Sequence, residues 1–327
     1  MLSAVSPFWA MTNTVARTLL MPRARKLSCP VISVGNIVAG GVGKTEIAVA
    51  IATHLLKNGK RVVVASRGYR SAWEKKGGVA FDATNATAMG FPDESIVILK
   101  KSPGVAVAVG ADRVGVLEKH WDELRPDVVI LDDGYQHFKL ARTLDVLVHD
   151  FSVAWPVLRD LPIALRKARV RISLSEVPQS WNAVRDESPW IKARYELEGV
   201  EDSAGKTMPL PREALVFCGL GNPARFKQSL ERAGVKVEGF KTFGDHAAYD
   251  IERVREIVKW ARSFSKQGRT LPLLTTLKDY VKLVTLVESQ GGVAGFEPLS
   301  VRIKLSFLEN EEVLWKAIDE SLVVGAH

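Results

Sequence analysis

Between Pro30 and Leu56 the chain passes from a short apolar run, through a glycine-rich loop, into a stretch of helix-forming residues. No other feature of the sequence limits the fold as strongly. Val31-Ile32-Ser33-Val34 is apolar and β-branched, the composition of a strand buried on both faces. Gly40-Gly41-Val42-Gly43-Lys44-Thr45 follows, and Glu46 to Leu56 then reads as a helix. This is the setting in which a nucleotide's phosphates are bound. The glycines let backbone N–H groups turn inward, and the positive end of the helix adds to their field. Lys44 reaches the terminal phosphates and Thr45 can hold Mg2+. The usual pattern has Gly six residues before the lysine; here that position is Val38, while the Gly-Gly-x-Gly-Lys-Thr core is complete.

A second apolar run, Asp127 to Leu131, ends in Asp132-Asp133. Acids at the carboxyl end of a strand are where a phosphate-loop protein places its metal-binding aspartate, so Thr45, Asp132 and Asp133 are the metal candidates. One acid can contact the ion through water while the other orients the loop. Arg61–Ser66, Ser95–Leu99 and Asp145–His149 are further β-rich runs separated by helix-length segments. They predict an α/β fold of the P-loop NTPase type, with a doubly wound parallel sheet and a second, smaller α/β domain. The 327 residues accommodate both. The expected divisions are an amphipathic, membrane-facing helix with a basic cluster over 1–28, a nucleotide-binding domain over 29–206, and a smaller C-terminal domain over 207–327. Gly205–Pro211, with two prolines, reads as the linker.

Charge narrows the class of partner. Lys and Arg number 45 and Asp and Glu 37, so 45 − 37 leaves +8, which points to an anionic partner. No acid precedes Glu46, whereas Arg17, Arg23, Arg25 and Lys26 all do. Phe8, Met11, Val15 and Leu19 recur at helical spacing, with Asn13 and Arg17 on the opposite face. This stretch is too short and polar to span a bilayer, and its positive charge follows the apolar residues, unlike a secretory signal. It either packs on the protein's own core or lies on an anionic cytoplasmic membrane face. A basic run of Arg159, Arg166, Lys167, Arg169 and Arg171 would suit a phosphorylated lipid headgroup. No aromatic-interleaved basic motif argues for nucleic acid. Two cysteines, Cys29 and Cys218, cannot build a disulfide framework and fit a reducing setting.

Three strings occur in order: Gly35-Asn36 with Gly40-Gly41-Val42-Gly43-Lys44-Thr45, Ser66-Arg67-Gly68-Tyr69, and Leu131-Asp132-Asp133-Gly134-Tyr135-Gln136-His137. Together they closely resemble the tetraacyldisaccharide 4′-kinases, which phosphorylate the lipid A precursor. Pro92-Asp93-Glu94, Asp112-Arg113, Phe243 to Tyr249 and Thr275-Thr276-Leu277-Lys278-Asp279 resemble further motifs of that family, so the likeness runs from about Pro30 to Leu283. It implies transfer of the ATP γ-phosphate to the 4′-hydroxyl of a membrane-embedded tetraacyldisaccharide 1-phosphate at the cytoplasmic face of the inner membrane. Carried over by motif, Asp93 is the base, His246 its partner, and Lys44 a catalytic cation. The nucleotide would meet Gly40, Gly41, Val42, Gly43, Lys44, Thr45, Arg67 and Arg113, and the substrate side would involve Asn36, Tyr69, Gln136, His137 and Arg159.

The chain departs from the family pattern over Trp155–Pro162, and at Gly244 and Leu277, where the family has proline. These changes put the acceptor in question more than ATP. A kinase with an altered acceptor is one alternative. Another is a phosphate-loop NTPase that switches or delivers a partner, which would share Lys44, Thr45 and Asp132 but need no Asp93–His246 pair. Gly219-Leu220-Gly221-Asn222-Pro223-Ala224 also fits a dinucleotide-binding fingerprint with Glu238 beyond it. Pro223 inside the motif favours a plain strand-to-helix turn.

Overall fold

The computed structural model describes residues 2–38, 43–152, 157–162, 168–179, 188–244, 247, 249–264, 270–289 and 293–324. In chain order these form α1 (Leu2–Leu20), β1 (Val31–Gly35), α2 (Lys44–Lys57), β2 (Val62–Ser66), α3 (Trp73–Lys76), β3 (Gly78–Ala80), α4 (Ala83–Ala88) and α5 (Asp93–Lys101). There follow β4 (Ala106–Val109), α6 (Arg113–Lys119), α7 (Trp121–Leu124), β5 (Val128–Asp132), β6 (Leu144–His149), β7 (Val170–Ser173) and β8 (Ile191–Glu201). The remainder is β9 (Thr207–Met208), β10 (Glu213–Cys218), α8 (Pro223–Arg232), β11 (Lys236–Thr242), α9 (Ile251–Arg262), β12 (Leu273–Thr276), α10 (Leu277–Ser289), β13 (Pro298–Glu309) and α11 (Glu311–Val324).

The chain divides into two compact units, Met1–Arg194 with Leu305–His327, and Tyr195–Lys304. In the first, the strands run β7-β6-β1-β5-β2-β4-β3. All neighbours are parallel except β3 against β4. β1, β2 and β5 are buried along their whole length, which is why they appear in the sequence as unbroken apolar runs rather than alternating ones. Val31, Val63, Ala65, Val129 and Leu131 pack on Leu117 beneath one face. The sheet is doubly wound and parallel, as expected.

One expected strand is a helix. Ser95–Leu99 forms the middle of α5, with Asp93 and Glu94 in its first turn and Lys100 and Lys101 in its last, charges that complement the helix dipole. Ile96 to Leu99 are all buried, so neither helical nor strand periodicity shows in the apolar run. The strand beside β2 is instead β4.

The helix α1 also differs from its expected place as a separate segment, since it belongs to the first unit. It turns Ala10 and Arg17 inward and leaves Phe8, Met11, Val15 and Leu19 exposed. It therefore does not pack on the core by its apolar stripe.

In the second unit the order is β11-β10-β12-β13-β8, with β9 antiparallel on β8. The Gly205–Pro211 stretch lies inside this unit and contains β9, whereas the sequence suggested a boundary there. The chain passes into the unit along β8 and out along β13, each a continuous strand with no break in its pattern to mark the division. Residues 305–327 consequently rejoin the first unit, where Trp315 of α11 stacks on His54 of α2 at 4.3 Å.

The dinucleotide-like glycine string has a structural explanation. Gly219 N donates to the buried Asp279 carboxylate at 2.9 Å, and that carboxylate also accepts from Thr276 Oγ1 at 2.7 Å and Tyr249 Oη at 3.0 Å. A Cβ at Gly219 would sit 2.9 Å from Asp279 Oδ1, so glycine is required by close approach. The N–H that a pyrophosphate would seek is already taken by a carboxylate. Cys29 and Cys218 are free and buried, and burial pushes both thiols up to about 12.

Candidate active site

Parallel pairing of β1 with β5 sets Val34 opposite Asp132. The helix after β1 therefore starts beside the acids after β5. Gly43 caps that helix at φ 78°, a left-handed conformation that glycine adopts without strain. Thr45 Oγ1 donates to Asp132 Oδ2 at 3.0 Å, and Lys44 Nζ lies 3.4 Å from Asp133 Oδ1. Asp133 itself has φ 49°, the sharp turn that redirects its side chain at the strand end. Arg159 Nη1 reaches both its oxygens, at 2.9 and 3.0 Å. Gly35 makes the two motifs compatible: a Cβ there would fall 2.4 Å from Tyr135 Cβ, so the acid-bearing loop can press on β1 only if that residue is glycine.

The electrostatics separate the two acids. Burial pushes the Asp132 carboxyl up, and the charge of Asp133 adds to this, against Lys44, Thr45 and Arg113. Burial also opposes the charge of Asp133, but Lys44 and Arg159 outweigh it and hold that carboxyl below its usual range. Arg113, at the start of α6 and 5% exposed, is lowered to about 10 by burial, against the pull of Asp133 and Asp132. It stays charged at neutral pH, and its Nε has no hydrogen-bond partner among the described residues. A buried guanidinium in that state is suited to an incoming anion. Burial, followed by repulsion from Arg113, Arg142 and Lys139, lowers His137 to about 3, so its imidazole is neutral across the physiological range.

Asp93 is the first residue of α5 and is buried; its Oδ1 accepts from Glu94 N at 3.1 Å. α5 leads into β4, a parallel strand, and a helix in such a crossover runs against its strand. Asp93 therefore lies at the carboxyl edge of the sheet, where Lys44 and Arg113 also begin their helices. Lys101 Nζ binds Glu46 at 2.6 and 2.7 Å, tying α5 to α2. The turn after β2 packs close to the start of α5: a Cβ at Gly68 would meet Pro92 Cγ at 3.3 Å. That turn holds Arg67, paired with Glu74 at 2.7 Å, and the exposed Tyr69.

The structure thus brings Lys44, Thr45, Arg113, Asp132, Asp133 and Arg159 together. It turns Asn36 and Gln136 inward. Asn36 is fully buried, and Gln136 Nε2 donates to Asn36 O at 2.9 Å and to Asp160 Oδ2 at 2.5 Å. Gly40, Gly41, Val42 and His246 lie outside the described residues. The described members of the basic run are engaged within the protein. Arg159 serves Asp133, Arg169 pairs with Glu320, and the buried Arg171 donates to Ser188 O; Arg166 and Lys167 lie outside the described residues. Glu46, Glu74, Asp160 and Arg17 form ion pairs around these segments that their local sequence does not mark, because their partners are remote or their types commonplace.

Hard oxygen donors fit Mg2+, and the set here meets that requirement: the Thr45 hydroxyl beside the Asp132 carboxylate, whose buried Oδ1 has no hydrogen-bond partner among the described residues. A parallel doubly wound sheet whose central strand leads into a Gly-Lys-Thr helix start, facing strand-end carboxylates, defines a phosphate-loop nucleotide-binding protein. Residues 1–323 match the model of the Tetraacyldisaccharide-1-P 4′-kinase family, and the chain belongs to that family. It is 34% identical over 288 residues to a tetraacyldisaccharide 4′-kinase of Geobacter metallireducens, covering 82% of this chain and 83% of that protein. It is 32% identical over 325 residues to one from Anaeromyxobacter dehalogenans, covering 91% and 83%. A crystal structure of an "apo" form of LpxK from Aquifex aeolicus in complex with ATP superposes with a TM-score of 0.73 at 28% identity, covering 98% of this chain and 99% of that one.

Proposed function

We propose that this chain transfers the γ-phosphate of ATP to the 4′-hydroxyl of a tetraacyldisaccharide 1-phosphate in lipid A biosynthesis. The observation that carries the reading is the cluster at the carboxyl edge of the sheet: Lys44 and Thr45 opposite Asp132 and Asp133, with Arg113 and Arg159 alongside. Phosphoryl transfer asks mainly for positioning and charge neutralisation, and these groups supply both. Lys44 and Arg113 stabilise negative charge on the transferring group, and Thr45 and Asp132 would hold Mg2+, which would neutralise charge on the phosphates. Asp93 accepts the proton of the 4′-hydroxyl as that oxygen bonds to phosphorus and the bond to ADP breaks. By its motif, His246 is the second residue assigned to this step. The NTPase switch is disfavoured by family membership, since such a protein has no use for a base at position 93.

The test is incubation of the purified protein with ATP, Mg2+ and the disaccharide lipid. A phosphorylated lipid is the expected product; ATP hydrolysis with the lipid unchanged would overturn the reading.

The acceptor's acyl chains place the reaction at a bilayer surface, and α1 suits the cytoplasmic face of the inner membrane. Among the described residues no helix is long and apolar enough to cross a membrane. Instead α1 exposes Phe8, Met11, Val15 and Leu19 along one side, with Arg23, Arg25 and Lys26 beyond it. Replacing Met11, Val15 and Leu19 together by serine removes roughly 1 kcal/mol or more of interfacial burial per side chain. Co-sedimentation with vesicles containing anionic lipid is expected to fall at least tenfold. Binding by the unmodified protein should weaken as salt rises. Unchanged co-sedimentation would remove α1 from the membrane contact.

A further inference from the structure

The inner face of α1 meets the same loop that carries the candidate phosphate-side acids. Arg17 is 7% exposed and its Nη2 donates to two acceptors, Tyr135 O at 3.2 Å and Asp160 Oδ1 at 3.2 Å. Its guanidinium lies 3.7 Å from the centre of the Tyr135 ring. Tyr135 is two residues beyond Asp133, and Asp160 is the neighbour of Arg159, so the acceptors of Arg17 flank the two members of the Asp133–Arg159 ion pair. Asp160 is fully buried, and its other oxygen receives Gln136 Nε2. Arg142 Nη1 donates to the same Tyr135 carbonyl at 3.0 Å.

A second contact from α1 reaches Arg159 itself: Asn13 Nδ2 donates to Arg159 O at 2.7 Å. On its other side the Arg159 backbone N donates to Ile37 O at 2.7 Å, just ahead of the phosphate loop. Arg159 is thus fixed from α1 and from the end of β1, with its side chain on Asp133. A helix held only for packing needs no buried cation on the acid-bearing loop. Placing a guanidinium and a carboxylate out of water is costly unless both are well hydrogen-bonded. Both oxygens of Asp160 are paired, whereas Arg17 donates through Nη2 and its buried Nε has no hydrogen-bond partner among the described residues. The partners the two side chains do have, apart from each other, lie on the segments that place Asp133 and Arg159.

We infer, building on the kinase reading above, that Arg17 is a positioning residue for phosphoryl transfer. With Asp160 it sets the placement of Asp133 and Arg159, so that the membrane-facing helix and the phosphate site form one mechanical unit. Displacements of about 1 Å at a phosphoryl-transfer site cost on the order of a hundredfold in rate, which a lost clamp can produce.

The test is kinetic, on the full chain in detergent micelles, so that vesicle binding is not read. Arg17→Ala and Asp160→Asn are each expected to lower kcat tenfold or more, with KM for the lipid within threefold of wild type. The double variant should be no slower than the slower single one. Arg17→Lys, which keeps a cation, should recover at least threefold over Arg17→Ala. Thr18→Ala, whose hydroxyl bonds only within α1, should behave as wild type. The inference is overturned if kcat of Arg17→Ala stays within twofold of wild type while only the melting temperature falls. It is equally overturned if the two losses multiply in the double variant. Should Arg17→Ala fail to fold, the isosteric Asp160→Asn decides by the same criteria. A wild-type protein that makes no phosphorylated lipid would instead count against the kinase reading, so the two failures are distinct.

Discussion

Replacement of Lys44 by alanine is expected to reduce phosphorylation of the disaccharide lipid at least about a thousandfold, equivalent to about 4 kcal/mol of transition-state stabilisation. The ammonium stands at the first position of α2, 3.4 Å from Asp133 and largely shielded from water, so its charge is little screened. The neighbouring guanidiniums act from other positions and do not replace it at the first turn of α2. Arg159 already spends its Nη1 on Asp133, and Arg113 is held at the start of α6. The measurement is kcat at saturating ATP and lipid, with circular dichroism to confirm the fold. A rate within tenfold of wild type would remove Lys44 from the phosphate site.

Asp93→Asn should separate chemistry from binding. The amide keeps the size of the carboxyl and can still accept from the Glu94 N–H through its oxygen, so the start of α5 is preserved. What it cannot do is take the proton of the 4′-hydroxyl. A general base contributes about 10²- to 10⁴-fold, and kcat is expected to fall by that range. ATP affinity, read by equilibrium binding, should stay within a few-fold, because the phosphate-side groups are untouched. A variant that turns over normally once ATP is raised to saturation would show that position 93 serves nucleotide binding and not proton transfer.

The site was legible in the sequence to the extent that it is built from local strings. Strand, glycine turn and helix start are specified by neighbouring residues, and so is a strand that ends in two acids. That they face one another follows from parallel pairing of β1 and β5, which a βα crossover pattern already implies. The supporting groups were not legible. Glu46 meets Lys101 across 55 positions, and Asp160 meets Arg17 across 143, and nothing in either neighbourhood marks the partner. The Ser95–Leu99 run reads as a strand yet folds as a helix for a different reason. Its four apolar residues are all buried, and complete burial erases the periodicity that distinguishes a helix from a strand.

By itself, then, the sequence determined a phosphate-binding loop, a parallel α/β sheet and the motifs of a lipid kinase family, because each depends on contacts between near neighbours or on backbone geometry that glycine alone permits. Tertiary structure decided which face of α1 turns inward. An amphipathic helix ordinarily buries its apolar stripe, and here Asn13 and Arg17 find buried acceptors at Arg159, Asp160 and Tyr135 while the stripe is left outside. The reason is energetic and non-local: a polar face is buried where the fold supplies hydrogen-bond acceptors for it, and those acceptors lie more than a hundred residues along the chain.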